Sequence, residues 1–288
     1  MNTAPIRNAF TIDVEDYFHV YAFSSHIPRE SWDRLPCRVE RNVDTILAML
    51  DEHKARATYF MLGWVAERYP AVVRKIVEHG HELASHGYGH QLVTGLTRAE
   101  FVQDITRAKR LLEDIAGVAV RGYRAPSFSI GKGNLWALEC LNEAGYHYSS
   151  SIYPIRSDHY GMPDSPRFAH YPEAGRGLLE LPPTTVRLFN RNLPAGGGGY
   201  FRLLPYGVSR WCMNRVNTVD RQPCIFYFHP WEIDPGQPRQ HGASLKSRFR
   251  HYVNLSSMQR RVQSLLREFQ WERVDRLFLE GNHEPARV

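Results

Sequence analysis

Short apolar runs with strand character alternate with longer amphipathic stretches through most of this sequence, and that alternation limits the folds open to it. "AFTIDV" at residues 9–14 is the first strand-like run, and "NVDTILAMLDEH" follows with Val43, Ile46, Leu47 and Leu50 at helical spacing. "RATYFML" and "HELAS" are further strand-like runs, separated by "PAVVRKIVEHG", where Pro70 suits a first helical turn and Gly80 a last one. The clearest helix is "TRAEFVQDITRAKRLLEDIAG", in which Thr97 and Glu100 stand at capping-box spacing ahead of one apolar face. "VAVRGY", "YHYSS", "GLLELPPTTVRL" and "PCIFYFHP" continue the strands, while "NLWALECLNEAG", "VSRWCMNRVNTV" and "SSMQRRVQSLLREF" continue the helices. Repeated βα alternation predicts an α/β fold: one parallel sheet, closed or nearly closed as a barrel, with helices outside it. A single domain, 1–288, is expected.

Two segments break the rhythm. Residues 151–177 are rich in Pro, Tyr and His, and "NLPAGGGGYFRLLPYG" carries the run Gly196 to Gly199. Long aromatic loops in a compact domain are placed to cover a site. The glycine run fits either a close backbone approach or simple slack.

In a βα barrel the chemistry gathers at the C-terminal ends of the strands. The first strand runs into Asp13, Glu15 and Asp16, the third into "SHGYGH", the fourth into "RGYRAPSF", and the late strand into "FHPWEID". Burying three carboxylates needs a cation or a set of donors. His86 and His90, four apart, would share one face of a helical turn within reach of a single metal ion, and the carboxylates offer a third ligand. Strand parity points Asp13 and Glu15 into the barrel and Asp16 away, which favours Glu15 as that ligand; a curled strand end would let Asp16 reach instead.

Taken together, these motifs resemble the NodB-type polysaccharide deacetylases, carbohydrate esterase family 4. The resemblance rests on Asp13 with Glu15, the pair His86 and His90, Arg124-Ala125-Pro126, and His229 in "FYFHP", in that order from about residue 8 to 235. Asp-Val-Glu-Asp stands where the common family form has two adjacent aspartates and a glycine. "IDVEDYF", "GGGGYFRLLPYG" and "FHPWEID" look like the subgroup found with bacterial exopolysaccharide and exosortase gene clusters, and residues 236–288 would be its C-terminal extension packed on the domain. The resemblance implies a distorted (β/α)7-8 barrel and a divalent metal, zinc by preference, held by Glu15, His86 and His90. It also implies Asp13 as general base steadied by Arg124, and His229 as the acid for the leaving amine. A carboxylate behind His229 would fix its tautomer; Glu180 is preferred over Asp234. Trp231 and Pro126 are the expected substrate contacts.

The implied reaction is hydrolysis of the N-acetyl group of N-acetylhexosamine units in a bacterial polysaccharide or its precursor. An allantoinase-like amide hydrolase acting on a small cyclic substrate, and a non-catalytic carbohydrate-binding relative, are the competing readings. The net charge of +6 is spread along the length without a basic block or a nucleic-acid recognition motif, so no nucleic-acid partner is expected. The apolar runs are too short to cross a bilayer, and "MNTAPIRNAF" lacks an apolar core, so no membrane span and a cytoplasmic location are expected. Cys37, Cys140, Cys212 and Cys224 form no C-x-x-C pair, which predicts free thiols rather than a zinc cluster or disulfide framework.

Overall fold

The computed structural model describes residues 5–157, 160–281 and 286–287. Outside the described residues lie 1–4 of the N-terminal segment, 158–159 of the 151–177 loop, and 282–285 with 288 of the expected extension. The strands are β1 (Arg7–Val14), β2 (Thr58–Met61), β3 (Glu82–Ser85), β4 (Gly122–Tyr123), β5 (Tyr148–Ser149), β6 (His170–Tyr171), β7 (Leu179–Glu180), β8 (Thr185–Leu188), β9 (Arg191–Pro194), β10 (Ile225–Phe228), β11 (Gln270–Glu272) and β12 (Ala286–Arg287). The helices are α1 (Val39–Glu52), α2 (Gly63–Arg68), α3 (Pro70–Glu78), α4 (Arg98–Ala116), α5 (Trp136–Glu143), α6 (Gly198–Leu203), α7 (Tyr206–Arg215), α8 (Leu245–Tyr252) and α9 (Leu255–Glu268).

The sheet order is β10-β1-β2-β3-β4-β5-β7-β6-β12, and the pairings from β10 through β7 are parallel. This sheet curls with helices outside it into a distorted, incomplete barrel. β6 pairs antiparallel with β7, and β11 pairs with the start of β1. The 236–288 segment therefore contributes two strands, β11 and β12, to the sheet as well as packing against it. Its turn Asp275–Leu279 also reaches the barrel floor, where the Asp275 amide donates to buried Glu82 at 3.0 Å.

Alternation along β1 sorts its side chains. Phe10, Ile12 and Val14 join the core shared with Val43, Ile46 and Leu50 of α1 and Val262 and Leu265 of α9. Ala9 packs inward with Phe60, Tyr148 and Ile225, and Thr11 and Asp13 lie on that inner side, where Arg124 donates to both. Thr97 caps α4 as its spacing predicts, receiving the Glu100 amide while Glu100 reaches back to the Thr97 amide. "GLLELPPTTVRL" does not form one strand. Pro182 and Pro183 have no N–H for a ladder, so the run breaks into β7, in the main sheet, and β8, which pairs only with β9 in a separate hairpin. The four cysteines are free, with Cys37 only partly buried.

Candidate active site

At the C-terminal ends of the parallel strands, a cleft of about 240 Å³ is lined by Asp13, Glu15, His86, His90, His229 and Trp231, with Ser127 and Phe128 in its wall. One ligand atom from each of Glu15, His86 and His90 lies within 4.8 Å of the others. His86 immediately follows β3, and its Nδ1 sits 2.8 Å from the Arg124 carbonyl. A carbonyl only accepts, so Nδ1 carries the proton and Nε2 keeps a free lone pair. Burial pulls the His86 pKa down to about 4, keeping the ring neutral.

His90 arrives by a different route from the one its spacing implies. The segment after β3 is a loop rather than a helical turn, with left-handed backbone at Gly87 (φ 71°) and at His90 itself (φ 53°). Asp104 of α4 fastens this loop by accepting the amides of Tyr88 at 2.9 Å and Gly89 at 3.2 Å. A Cβ on Gly87 would fall 2.7 Å from Asp104 Oδ2, so glycine is needed there for both backbone and space. Asp104 was not foreseen. It is distant in sequence, and only the packing of α4 brings it under the loop.

Glu15 Oε2 lies 2.6 Å from His90 Nε2 yet has no hydrogen bond, and its Oε1 is 3.4 Å from both His229 Nε2 and Trp231 Nε1. Burial alone would raise the Glu15 pKa, but the surrounding imidazoles of His90, His229 and His86 outweigh it and hold the group ionised, far below the usual carboxylate range. A buried carboxylate oxygen with no donor, facing two imidazoles, is a donor set that suits a divalent cation. Asp16 is occupied otherwise. It faces away and accepts the backbone amides of Tyr17, at 2.8 Å, and of Arg38, as an N-cap does. Glu15, not Asp16, therefore stands with the imidazole pair.

Arg124 is completely buried. It donates to Asp13 Oδ1 at 2.6 Å, to Thr11 Oγ1 at 2.9 Å and to Ser150 Oγ at 2.9 Å, with its guanidinium 4.0 Å from the centre of the Phe60 ring. Asp13 Oδ2 remains, 3.9 Å from His229 Nε2.

Three sequence expectations need correction. The carboxylate behind His229 is Glu232, whose Oε1 accepts from the ring at Nδ1 (2.8 Å) and from the His229 amide (3.1 Å). Glu180 instead accepts the amides of Ser151 and Ile152, both at 2.8 Å, and burial raises its pKa to about 7; Asp234 is paired with Arg38. Trp231 lines the cleft but does not offer a free face, since His229 stacks on it at 5.3 Å and His251 at 4.2 Å. Pro126 is buried and does not line the cleft; it opens the turn Pro126–Phe128 that carries Ser127 and Phe128 into the wall.

Glu232 is itself held by Arg202 of α6, Nε to Oε2 at 2.7 Å, and both side chains are buried. Arg202 also donates to the carbonyls of His251 at 2.9 Å and Val253 at 2.7 Å. The glycine run makes this possible by close approach rather than slack. A Cβ on Gly198 would lie 2.6 Å from Glu232 Oε2, and one on Gly197 would lie 2.6 Å from the Tyr227 hydroxyl. Burial would raise the Glu232 pKa, but Arg202 and His229 overcome it and hold the group at about 2. Burial opposes a charge on His229 as well, yet Glu15 and Glu232 raise its pKa to about 9.

A family profile described as polysaccharide deacetylase matches residues 31–149, the stretch that holds His86, His90 and Arg124. Over that span the chain is similar to the polysaccharide deacetylases. A second profile, a domain of unknown function (DUF3473), matches residues 150–279, which hold Glu180, Arg202, His229 and Glu232. One sheet runs through both spans, because β10 of the second pairs with β1, which precedes the first, and β5 pairs with β7 across their boundary. Among proteins similar to this chain is a peptidoglycan-N-acetylglucosamine deacetylase of Bacillus cereus, 34% identical over 33% of this chain and 34% of that protein. A chitooligosaccharide deacetylase of Azorhizobium caulinodans is 32% identical over 34% of this chain and 44% of that protein. The match thus spans less than half the length of either relative. The fold as a whole is similar to the crystal structure of a Mycobacterium smegmatis protein described as a polysaccharide deacetylase, at TM-score 0.59 and 19% identity, over 94% of this chain and 90% of that one. No helix among the described residues is long and apolar enough to cross a membrane.

Proposed function

We propose that this chain is a metal-dependent N-deacetylase that hydrolyses the acetamide of N-acetylhexosamine units in a bacterial polysaccharide or its precursor and releases acetate. The observation that carries the proposal is the convergence, in one cleft, of an Arg-paired aspartate, a Glu-His-His ligand set and a histidine backed by a buried carboxylate. The similarity to a peptidoglycan-N-acetylglucosamine deacetylase and a chitooligosaccharide deacetylase supports the substrate class. The two matched spans act as one working unit, since the ligand histidines lie in the first and the His229 machinery in the second.

Glu15, His86 and His90 would hold the divalent ion, and their nitrogen and oxygen donors favour zinc. When bound, such an ion polarises the acetamide carbonyl and makes water more acidic. Asp13 takes a proton from the attacking water. Its Oδ1 is engaged by Arg124, which aims the carboxylate and leaves Oδ2 as the accepting oxygen. His229 protonates the leaving nitrogen as the C–N bond breaks. Glu232 favours the protonated ring against burial, and its bond at Nδ1 leaves Nε2 as the nitrogen facing the cleft.

Protein stripped of metal and reloaded with zinc is expected to release acetate from N-acetylglucosamine oligomers and to leave cyclic ureides intact. Sugar binding without acetate release from any N-acetylated oligosaccharide would replace this reading with a non-catalytic binding role.

A further inference from the structure

Behind the wall formed by His229 and Trp231 lies a second, larger cleft of about 460 Å³. Tyr160, Tyr227, His229 and Trp231 line both clefts, so the two adjoin across the reacting centre. The second is cationic. Arg156, Arg202 and Arg250 line it, and the one carboxylate among its described lining residues is Glu232, already neutralised by Arg202 and His229. Arg156 and Arg250 are exposed, and neither forms an ion pair among the described residues. Their guanidinium groups keep their hydrogen-bond forks available to a ligand. Tyr160 and Tyr200 add hydroxyl groups to the same walls, and the charge of Arg250 is felt at the Tyr160 hydroxyl.

A third cleft that adjoins the site differs. There, Phe128, Ser129 and Tyr160 continue into a cleft of about 490 Å³ whose one lining cation, Lys132, is paired with Asp164 at 2.9 Å. A chain laid across the centre would therefore meet a cleft whose described cation is paired in one direction and, in the other, two arginines that form no ion pair among the described residues, the charge of Arg156 being felt at Asp164. Arginine is the side chain best matched to the planar fork of a carboxylate or the oxygens of a phosphate.

We propose that the Arg156 and Arg250 cleft is an anion subsite, which binds a carboxylate or phosphate carried next to the sugar that loses its acetyl group. The proposal rests on the deacetylase reading for its place in the substrate, but not for the existence of the subsite. It makes the substrate an acidic glycan or a phosphate-linked saccharide and gives the bound chain a direction. A uronate and a sugar diphosphate share the necessary chemistry, and the substrate panel separates them.

The zinc-loaded full chain would be assayed for acetate release at low and high salt on three substrates: neutral N-acetylglucosamine oligomers, oligomers alternating N-acetylglucosamine with glucuronate, and an N-acetylglucosamine diphosphate conjugate. At low salt, kcat/KM for one or both acidic substrates should exceed the neutral value by about ten-fold or more, with the excess collapsing at high salt as the exposed charges are screened. In the Arg156→Gln/Arg250→Gln double variant the acidic-to-neutral ratio should fall to within about two-fold of one. Preference for the glucuronate oligomer alone would assign the anion to a uronate, and preference for the conjugate alone to a phosphate. Equal rates on all three, or a wild-type ratio in the double variant, would overturn the subsite. Calorimetric titration with glucuronate and with inorganic pyrophosphate provides a readout independent of catalysis. Binding of either by the wild type and its loss in the double variant would uphold the subsite even if no acetate were released, an outcome that defeats only the deacetylase reading. Binding of neither would overturn it.

Discussion

Replacing Glu232 with glutamine tests whether a buried carboxylate keeps His229 protonated. Glu232 Oε1 accepts from the His229 ring at 2.8 Å, and its Oε2 accepts from Arg202 at 2.7 Å. An opposite charge at such range is worth roughly 1 to 3 pKa units. In the wild type the His229 pKa stands raised at about 9, against burial, by Glu15 and Glu232. A bound cation offsets the field of Glu15, so in the loaded enzyme the share due to Glu232 matters more. A drop of about 2 units in Glu232→Gln would lower kcat/KM by up to about 100-fold on the alkaline side of the His229 limb, with little loss from this cause well below it. The alkaline limb of the pH profile for acetate release should move down accordingly. The same substitution leaves Arg202 buried without its carboxylate, which costs about 3 to 5 kcal/mol. The double variant Glu232→Gln/Arg202→Met removes both charges and should recover part of that stability, less what the carbonyls of His251 and Val253 lose, while keeping the displaced limb. Linkage gives the sign of a second readout. Because the folded pKa of His229 lies above its unfolded value, its protonation stabilises the fold fully below about pH 6.5, and this contribution is lost as pH rises through about 9 in the wild type. In the variants that contribution should be smaller and its loss complete at a lower pH. An alkaline limb in the same place in wild type and both variants would refute the reasoning, and a uniform loss at every pH would reduce Glu232 to a structural role.

Asp13→Asn should retain one bound metal per chain by elemental analysis while acetate release falls by about 10²- to 10⁴-fold, the usual share of a general base. Glu15→Ala should lose the metal, whereas Asp16→Ala should keep it and lower unfolding free energy by about 1 kcal/mol or more through the lost cap, read by urea denaturation. Gly198→Ala should destabilise by about 1 to 3 kcal/mol and lower activity, because its Cβ would press on the Glu232 carboxylate. Gly199→Ala, with nothing within 4 Å, should be neutral or slightly stabilising by the same denaturation assay.

The parts of the site that were legible in the sequence are those governed by local periodicity. Parity along β1 put Asp13 and Glu15 on one side and Asp16 on the other because a strand's two-residue repeat leaves little freedom. The βα rhythm placed the strand ends, and with them His86, Arg124 and His229, at one end of the sheet. The four-residue gap between His86 and His90 gave the right pair for the wrong reason, since a left-handed loop tied to Asp104 brings the rings together. Sequence reasoning missed Glu232 although the signal was adjacent. "HPWE" has capping-box spacing, and Glu232 returns to the His229 amide as such a residue does, which also brings its carboxylate to the imidazole. Glu180 looked better because it ends a strand, but its carboxylate serves two amides at a chain turn.

Arg202 belongs to a different category, because no local rule ties it to His229. It reaches Glu232 only because Gly196, Gly197 and Gly198 let α6 settle against β10 and the turn after it, and because the residues from α8 to α9 offer carbonyls to the rest of its guanidinium. A buried arginine of this kind needs every donor satisfied, and those acceptors come from a segment about fifty residues away. The acid side of the site therefore depends on the C-terminal segment. That segment adds a strand beside β1, supplies the acceptors that hold Arg202 over Glu232, and packs His251 against the face of Trp231. Removing residues 236–288 should thus do more than trim a surface: it should leave Arg202 without its carbonyl acceptors, Glu232 with a misplaced partner and His229 without a fixed Nδ1 bond.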